Sequence, residues 1–275
     1  MITLKKALEK KYKYSAVIVR CYEEANGVEL TWDNLSRIRC SEFIKYMREK
    51  KNLSANSVRQ YCARLKAVIN LYKDEVEVAK GVQEMLSTRA VPVLNTWLTE
   101  DDLQKLAAYK ATTGNERQVQ ARFLIGAYSG ARFCDFSRLD KRNIVNGMLT
   151  YISKKTKKQA TIPVKPLVIE LLDKVVMQDM PDATFNDILR RIAEKAGINE
   201  PVKVFKAGQD VEGPKFNFIS SHTARRSFAT NLYLRGADLY SISRMLGHSS
   251  VEMTAENYIC CGLKPQSEKV MEYFD

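Results

Sequence analysis

In a chain of 275 residues, one short stretch carries the only strong β signal. Asn146-Gly147 sits between Ile144-Val145 and Met148–Ile152. Asparagine and glycine tolerate the positive φ angles that a tight hairpin turn demands. A second turn, Lys154-Lys155-Thr156-Lys157-Lys158, leads into Ala160–Val164. These runs predict a three-stranded antiparallel sheet with a lysine-loaded tip. Elsewhere the apolar residues mostly recur at helical spacing. The expected fold is mainly α with a small antiparallel β-sheet, a helical domain followed by a mixed α/β one.

Residues 14–85 read as helical throughout. Tyr14–Ala25 stops near Asn26-Gly27, and Thr31 or Asp33 caps a second helix running to about Lys50. Ser54 to Ser57 opens a third, with Val58, Tyr61, Leu65, Val68, Ile69 and Leu71 on its inner side. Its other side shows Arg59, Gln60, Arg64 and Lys66. With Ser57, these are candidate contacts to a nucleic-acid groove; taken alone they read more readily as an ordinary solvated helix face. Residues 86–98 hold a proline and little periodicity. The expected division is a helical domain at 1–90, a linker at 91–98 and a second domain at 99–275.

In the second part, Thr99 with Asp102 resembles a capping box. An apolar helix, Ala121–Tyr128, stops at Ser129-Gly130, and Arg132 then stands at the start of another helix (Phe133, Phe136, Leu139). An arginine beside the free N–H groups of a helix start makes an anion site. Helices are expected from Pro166 through Val175 and Val176, and over Thr184–Ala196. Strands are expected at Val202–Lys206 and Phe216–Ile219. Then Ser221 or Thr223 caps a helix to Leu234, followed by Ala237–Leu246, a short piece at Thr254–Tyr258, and a last helix within Cys260–Asp275.

Charge narrows the partners. There are 44 Lys and Arg against 32 Asp and Glu, a formal net charge of +12, which points to an acidic polymer. The lysines at 5, 6, 10, 11 and 13 replace the apolar run of a secretory signal, and no stretch approaches the ~20 apolar residues of a membrane span. Cys21, Cys40, Cys62, Cys134, Cys260 and Cys261 form no CxxC pair. They read as reduced thiols of a cytoplasmic protein, nucleoid-associated when bound to DNA.

Both histidines lie between Ser221 and Tyr258. His222 stands three residues before Arg225 and so shares its helix face. His248 follows Gly247, and Tyr258 closes the stretch. Without clustered carboxylates, two histidines do not suggest a metal-dependent nuclease, and no GxxxxGK[ST] loop is present for nucleotide hydrolysis. A phosphodiester fits better. Planar guanidiniums hold two phosphate oxygens at once, histidines donate to them, a tyrosine serves as nucleophile, and a lysine protonates the leaving oxygen. Arg132, Lys155, His222, Arg225, His248 and Tyr258 supply these parts. Lys154, Lys157 and Lys158 compete with Lys155 for the acid role; Tyr240 and Tyr273 are the other nearby tyrosines.

These residues resemble the tyrosine recombinases, the integrase family of site-specific recombinases. The matching pieces are Gly130-Ala-Arg132-Phe-Cys-Asp135, the hairpin lysines from Lys155, His222-Thr-Ala-Arg225-Arg226, Leu246-Gly247-His248 and Tyr258, in family order. The resemblance implies a core-type DNA-binding domain ahead of the catalytic one, clamped around double-stranded DNA at a specific recombination site. It implies cleavage through a 3′-phosphotyrosine and strand exchange in a homotetramer joined by the C-terminal tail, with an accessory DNA-bending factor as a further partner. No metal, nucleotide or other cofactor is implied, and no membrane. In these terms Arg132 and Arg225 grip the scissile phosphate, Lys155 is the general acid, and His222 assists as acid or base. His248 bonds the phosphate, Tyr258 attacks, and Asp135 is a structural acid. The same chemistry would serve a type IB-like topoisomerase or a hairpin-end resolvase; a DNA-binding relative without activity is the remaining alternative.

Overall fold

The computed structural model describes residues 2–91, 95–174, 179–206, 209–248 and 250–260. The chain divides into two compact units, Met1–Val93 with Phe205–Asp210, and Leu94–Val204 with Val211–Asp275.

Among the described residues the first unit holds five helices: α1 (Leu4–Lys11), α2 (Lys13–Asn26), α3 (Arg37–Glu49), α4 (Ala55–Leu71) and α5 (Val82–Met85). Its core gathers Leu4, Leu8, Tyr22, Phe43, Met47, Val58, Leu65 and Ile69. Tyr22 meets Phe43 and Tyr46 edge-on at centroid distances of 5.2 and 5.5 Å.

Helix is less continuous here than the periodicity predicts. Gly27 closes α2 in the left-handed region as expected. Thr31 does not cap α3, because its hydroxyl and the Asn34 amide bond each other's backbone N–H in a local turn; Ser36 caps α3 instead. Residues 72–81 contain no helix, and Leu71, expected inward, is 56% exposed. Conversely α1, unassigned from sequence, forms beneath its lysines by burying Leu4, Ala7 and Leu8.

The second unit is built on α7 (Gly114–Ser129), which packs against α9 (Pro166–Lys174), α10 (Asp182–Lys195) and α11 (Ser221–Leu234), with α6 (Glu100–Ala108) alongside. The Thr99–Asp102 capping box opens α6. α8 (Phe133–Phe136) is one turn. β1 (Ile144–Val145), β2 (Met148–Ile152) and β3 (Gln159–Pro163) form an antiparallel sheet in that order. Its first turn has Asn146 and Gly147 at φ 51° and 75°, the conformation expected of Asn-Gly.

β4 (Pro201–Lys206) and β5 (Gln209–Pro214) pair as a two-stranded sheet. The strand expected at Phe216–Ile219 does not form. Residues Lys215–Phe218 make a 3-10 turn after Pro214, pinned where the buried Lys215 ammonium bonds Asp102 at 2.8 Å and Glu200. α12 (Leu239–Leu246) and α13 (Val251–Tyr258) complete the described elements. Ser220, not Ser221 or Thr223, stands as N-cap of α11, with its N–H donating to Thr223 Oγ1 at 2.9 Å. α13 is longer than expected because Ser250 caps it. Val175, Val176 and the helix expected after Cys260 lie outside the described residues.

Candidate active site

The site is built where α7, α11 and α12 end or begin. α7 terminates at Gly130 with φ 68°. A side chain there would also strike Phe228 and Leu246, whose carbons lie 2.5 and 2.8 Å from the Cβ position. Only glycine satisfies both conditions. The turn delivers Arg132 as the N-cap of α8. A four-residue helix cannot persist alone and has little dipole. Packing fixes it instead: Phe136 and Phe185 are buried, and Phe133 meets both edge-on, each buried ring contributing about 2 kcal/mol. The anion-attracting character of Arg132 therefore comes from its own charge, not from the helix start expected to reinforce it.

Arg225 is 1% exposed. Its Nη1 donates to Gly130 O at 2.6 Å, and Nη2 donates to Leu246 O at 2.6 Å and to His248 Nε2 at 2.8 Å. One guanidinium thus caps the carbonyl ends of α7 and α12, where a cation is favoured. Its Nε is buried without a partner.

Gly247, at φ 64°, ends α12 and turns the chain so that His248 follows. Arginine only donates, so His248 Nε2 accepts. The proton then sits on Nδ1, which donates to Thr254 Oγ1 at 2.8 Å. Thr254 is wholly buried one helical turn before Tyr258. The Tyr258 ring, 9% exposed, lies 4.6 Å from the His248 ring, 5.3 Å from the His222 ring and 5.2 Å from Arg225 Cζ.

Burial pushes the pKa of both histidines down to about 4, helped for His222 by Arg226, Arg225, Arg132 and Lys155, and for His248 by Arg225, Arg132 and His222. Both rings are neutral at pH 7. Of the hairpin lysines, Lys155 is the one whose charge bears on His222.

Asp135 is fully buried. It accepts from Lys154 N–H at 2.7 Å, from Ser153 Oγ at 3.0 Å and from Arg138 Nη2 at 3.1 Å. Arg138 also donates to Ile152 O. The carboxylate therefore ties the lysine hairpin to the α8 turn that carries Arg132. Burial, then the Asp135 charge, raises the pKa of neighbouring Tyr151 to about 12.

Five of the six expected residues thus meet through direct contact or mutual charge, and Lys155, on an exposed turn, bears on His222 by its charge. Sequence reading missed Arg138, Ser153 and Thr254. Only Thr254 had a signal, its helical spacing from Tyr258. Tyr240, a rival nucleophile, is 65% exposed on α12; Tyr273 lies outside the described residues. Among the described residues no group of three or more His, Cys, Asp or Glu is placed to hold a metal, and no helix is long and apolar enough to cross a membrane.

On α4, Arg59 and Gln60 face solvent. The other three expected residues have internal partners. Ser57 bonds the Ser54 hydroxyl at 2.9 Å, Lys66 donates to Ser87 Oγ at 2.6 Å, and Arg64 lies over the Tyr12 and Tyr61 rings at 5.8 and 5.7 Å.

Residues 96–260 match the Phage integrase family, and residues 3–76 match the Phage integrase SAM-like domain. The chain is 26% identical over 237 residues to "Tyrosine recombinase XerC" of Rickettsia felis, covering 78% of this chain and 73% of that one. It is 24% identical over 209 residues to the integrase of Escherichia phage 186, covering 74% of this chain and 56% of that one. Among solved structures, a Tn1549 transposon integrase in complex with circular intermediate DNA shares the fold at TM-score 0.68 and 14% identity, covering all of both chains. A lambda integrase dimer bound to a core site does so at TM-score 0.66 and 15% identity, covering 96% of this chain and 98% of that one.

Proposed function

The chain belongs to the phage integrase family, and on that premise we propose how this DNA breaking-rejoining enzyme carries out site-specific recombination. Tyr258 Oη attacks the scissile phosphorus while its proton passes to His222, which is neutral and therefore able to accept it. The phosphorus–5′-oxygen bond breaks, and Lys155 protonates the leaving oxygen. A 3′-phosphotyrosyl bond replaces the phosphodiester, so the bond energy is kept. A 5′-hydroxyl from a second strand then attacks, returning its proton to Lys155, the phenolate leaves and recovers its proton from His222, and the strands are joined. No nucleotide and no metal enters these steps.

The observation that carries this reading is Arg225, locked by three hydrogen bonds with Tyr258 laid over it. A preorganised buried cation stabilises charge that grows on phosphate oxygens without rearranging at the moment of reaction. Arg132 supplies the second charge. His248 donates to the phosphate only after taking up a proton, since its Nε2 already accepts from Arg225; the negative phosphate favours that uptake. Asp135 holds the lysine turn in place.

Residues 1–90 act as a core-type DNA-binding domain with Arg59 and Gln60 outermost, 91–98 as linker and 99–275 as catalytic domain. The partner is double-stranded DNA at a specific site, bound by a homotetramer joined through the C-terminal tail, with an accessory bending factor. The protein works in the cytoplasm. Covalent trapping tests this. Protein is incubated without magnesium with fragments flanking its gene, stopped with SDS, and the attached DNA is sequenced beside Tyr258→Phe. A 3′-linked adduct absent from the variant is expected; an adduct that persists in the variant refutes Tyr258 as nucleophile.

A further inference from the structure

His222, Arg226 and Thr230 stand four residues apart on α11 and so share one face. The residues on either side of Arg226 both meet the segment that carries the tyrosine. The His222 ring lies 5.3 Å from the Tyr258 ring. The Thr230 hydroxyl donates to Tyr258 O at 2.9 Å and accepts from Cys260 N–H at 3.1 Å. Arg226 is bracketed by these contacts and faces the same segment.

Its own bonding is empty. Nε is sealed from solvent without a partner, and among the described residues the guanidinium makes no hydrogen bond or ion pair. Arg225, its neighbour, is by contrast tied to two carbonyls and a histidine. Arg226 is half-buried; sealing part of a cation from water without an anion is costly, and this one is kept beside a site already rich in positive charge. Burial lowers the pKa of Arg226, offset in part by the nearby Cys260 and Tyr258 groups, so an anion entering beside Tyr258 would relieve that desolvation. Of all the charges acting on His222, that of Arg226 is the largest.

We propose that Arg226 is a third phosphate-binding arginine of this site, left unpaired in the free protein and completed by phosphodiester oxygens of the bound DNA next to Tyr258. This rests on the proposed function, but it assigns a residue that the six-residue set does not contain. It also distinguishes the two adjacent arginines. Arg225 is preassembled by the protein, whereas Arg226 is assembled by the ligand.

Thermal unfolding in sodium phosphate against sodium chloride of matched ionic strength tests this without knowledge of the target DNA. Wild type, Arg226→Met, Arg226→Lys and Arg132→Gln are compared. A ligand that binds only the folded state raises its Tm. In chloride, Arg226→Met is expected to melt no lower than wild type, because an unpaired charge has gone. In phosphate it should lose about half or more of the wild-type shift, and Arg226→Lys should keep most of it. A full phosphate shift in Arg226→Met, or no specific shift in wild type, would overturn the inference. Loss of the shift in Arg132→Gln alone would also overturn it while leaving the proposed function standing, and the adduct assay judges that function separately. If Arg226→Met does not fold, the lysine variant decides: a full shift supports phosphate binding, and none overturns it.

Discussion

Arg59 and Arg225 both stand on long helices, of 17 and 14 residues, yet their surroundings are opposite. Arg59 faces water and makes no hydrogen bond or ion pair among the described residues. Arg225 is buried and spends its guanidinium on two helix ends and a histidine. A solvated arginine can follow a phosphate backbone wherever it lies, and salt screens it. A buried one is already aimed, and its field is little screened. Under the proposed function, the same residue type would serve capture in one unit and chemistry in the other.

The sharpest way to break this contrast is at the centre of the buried set. Tyr258→Phe should leave folding and DNA binding intact and remove covalent adducts to below detection, scored on denaturing gels; undiminished adducts would dissolve the proposed site. Arg225→Ala should cost about 2–4 kcal/mol of stability, because Gly130 O, Leu246 O and His248 Nε2 all lose their donor. Urea unfolding measures it, and a change below about 0.5 kcal/mol would mean the guanidinium is not the tie it resembles. Asp135→Ala should cost about 2–3 kcal/mol through three lost bonds and slow cleavage by freeing the lysine turn.

Acid should separate the two regions as well. Both histidines titrate near 4 when folded, below their ordinary value of about 6.5, so the unfolded chain binds more protons between these limits. Stability is then full above about pH 6.5 and falls as pH drops toward 4. Replacing both histidines with glutamine should flatten that decline in a Tm–pH series, and an unchanged slope would place its origin elsewhere. The smallest effect belongs to the exposed face. Arg59→Ala should change stability by less than about 0.5 kcal/mol while lowering the salt dependence of DNA binding by about one counterion. A large stability loss there would erase the distinction.

Much of the site was legible because its residues punctuate the chain. Asn146-Gly147, Gly130 and Gly247 announce turns, and Arg132, His248 and the hairpin lysines follow those turns directly. The family resemblance gathered them before any coordinates did. What stayed hidden depends on partners distant in sequence. Nothing near Asp135 says that it will hold Ser153 and the Lys154 N–H. Phe216-Asn-Phe-Ile alternates like a strand, but a buried ammonium bound to Asp102 and Glu200 holds the chain in a turn. The lysines at the start obscured α1, whose apolar face is short. Thr31 is a good cap by type, but its hydroxyl accepts from the Asn34 backbone N–H in a local turn, and Ser36 caps the helix instead.

The double use of Arg225 has a consequence for descent. It closes two helix ends, so under the proposed function the fold and the reaction would draw on one side chain. A lineage released from the need to recombine DNA cannot discard this arginine freely, since the domain would loosen with it. Tyr258 hangs by its ring and can become phenylalanine at little structural loss. Copies decaying toward silence should therefore lose the tyrosine hydroxyl early and keep Arg225 late, so that an intact arginine motif is a record of shape long after it has ceased to be one of activity.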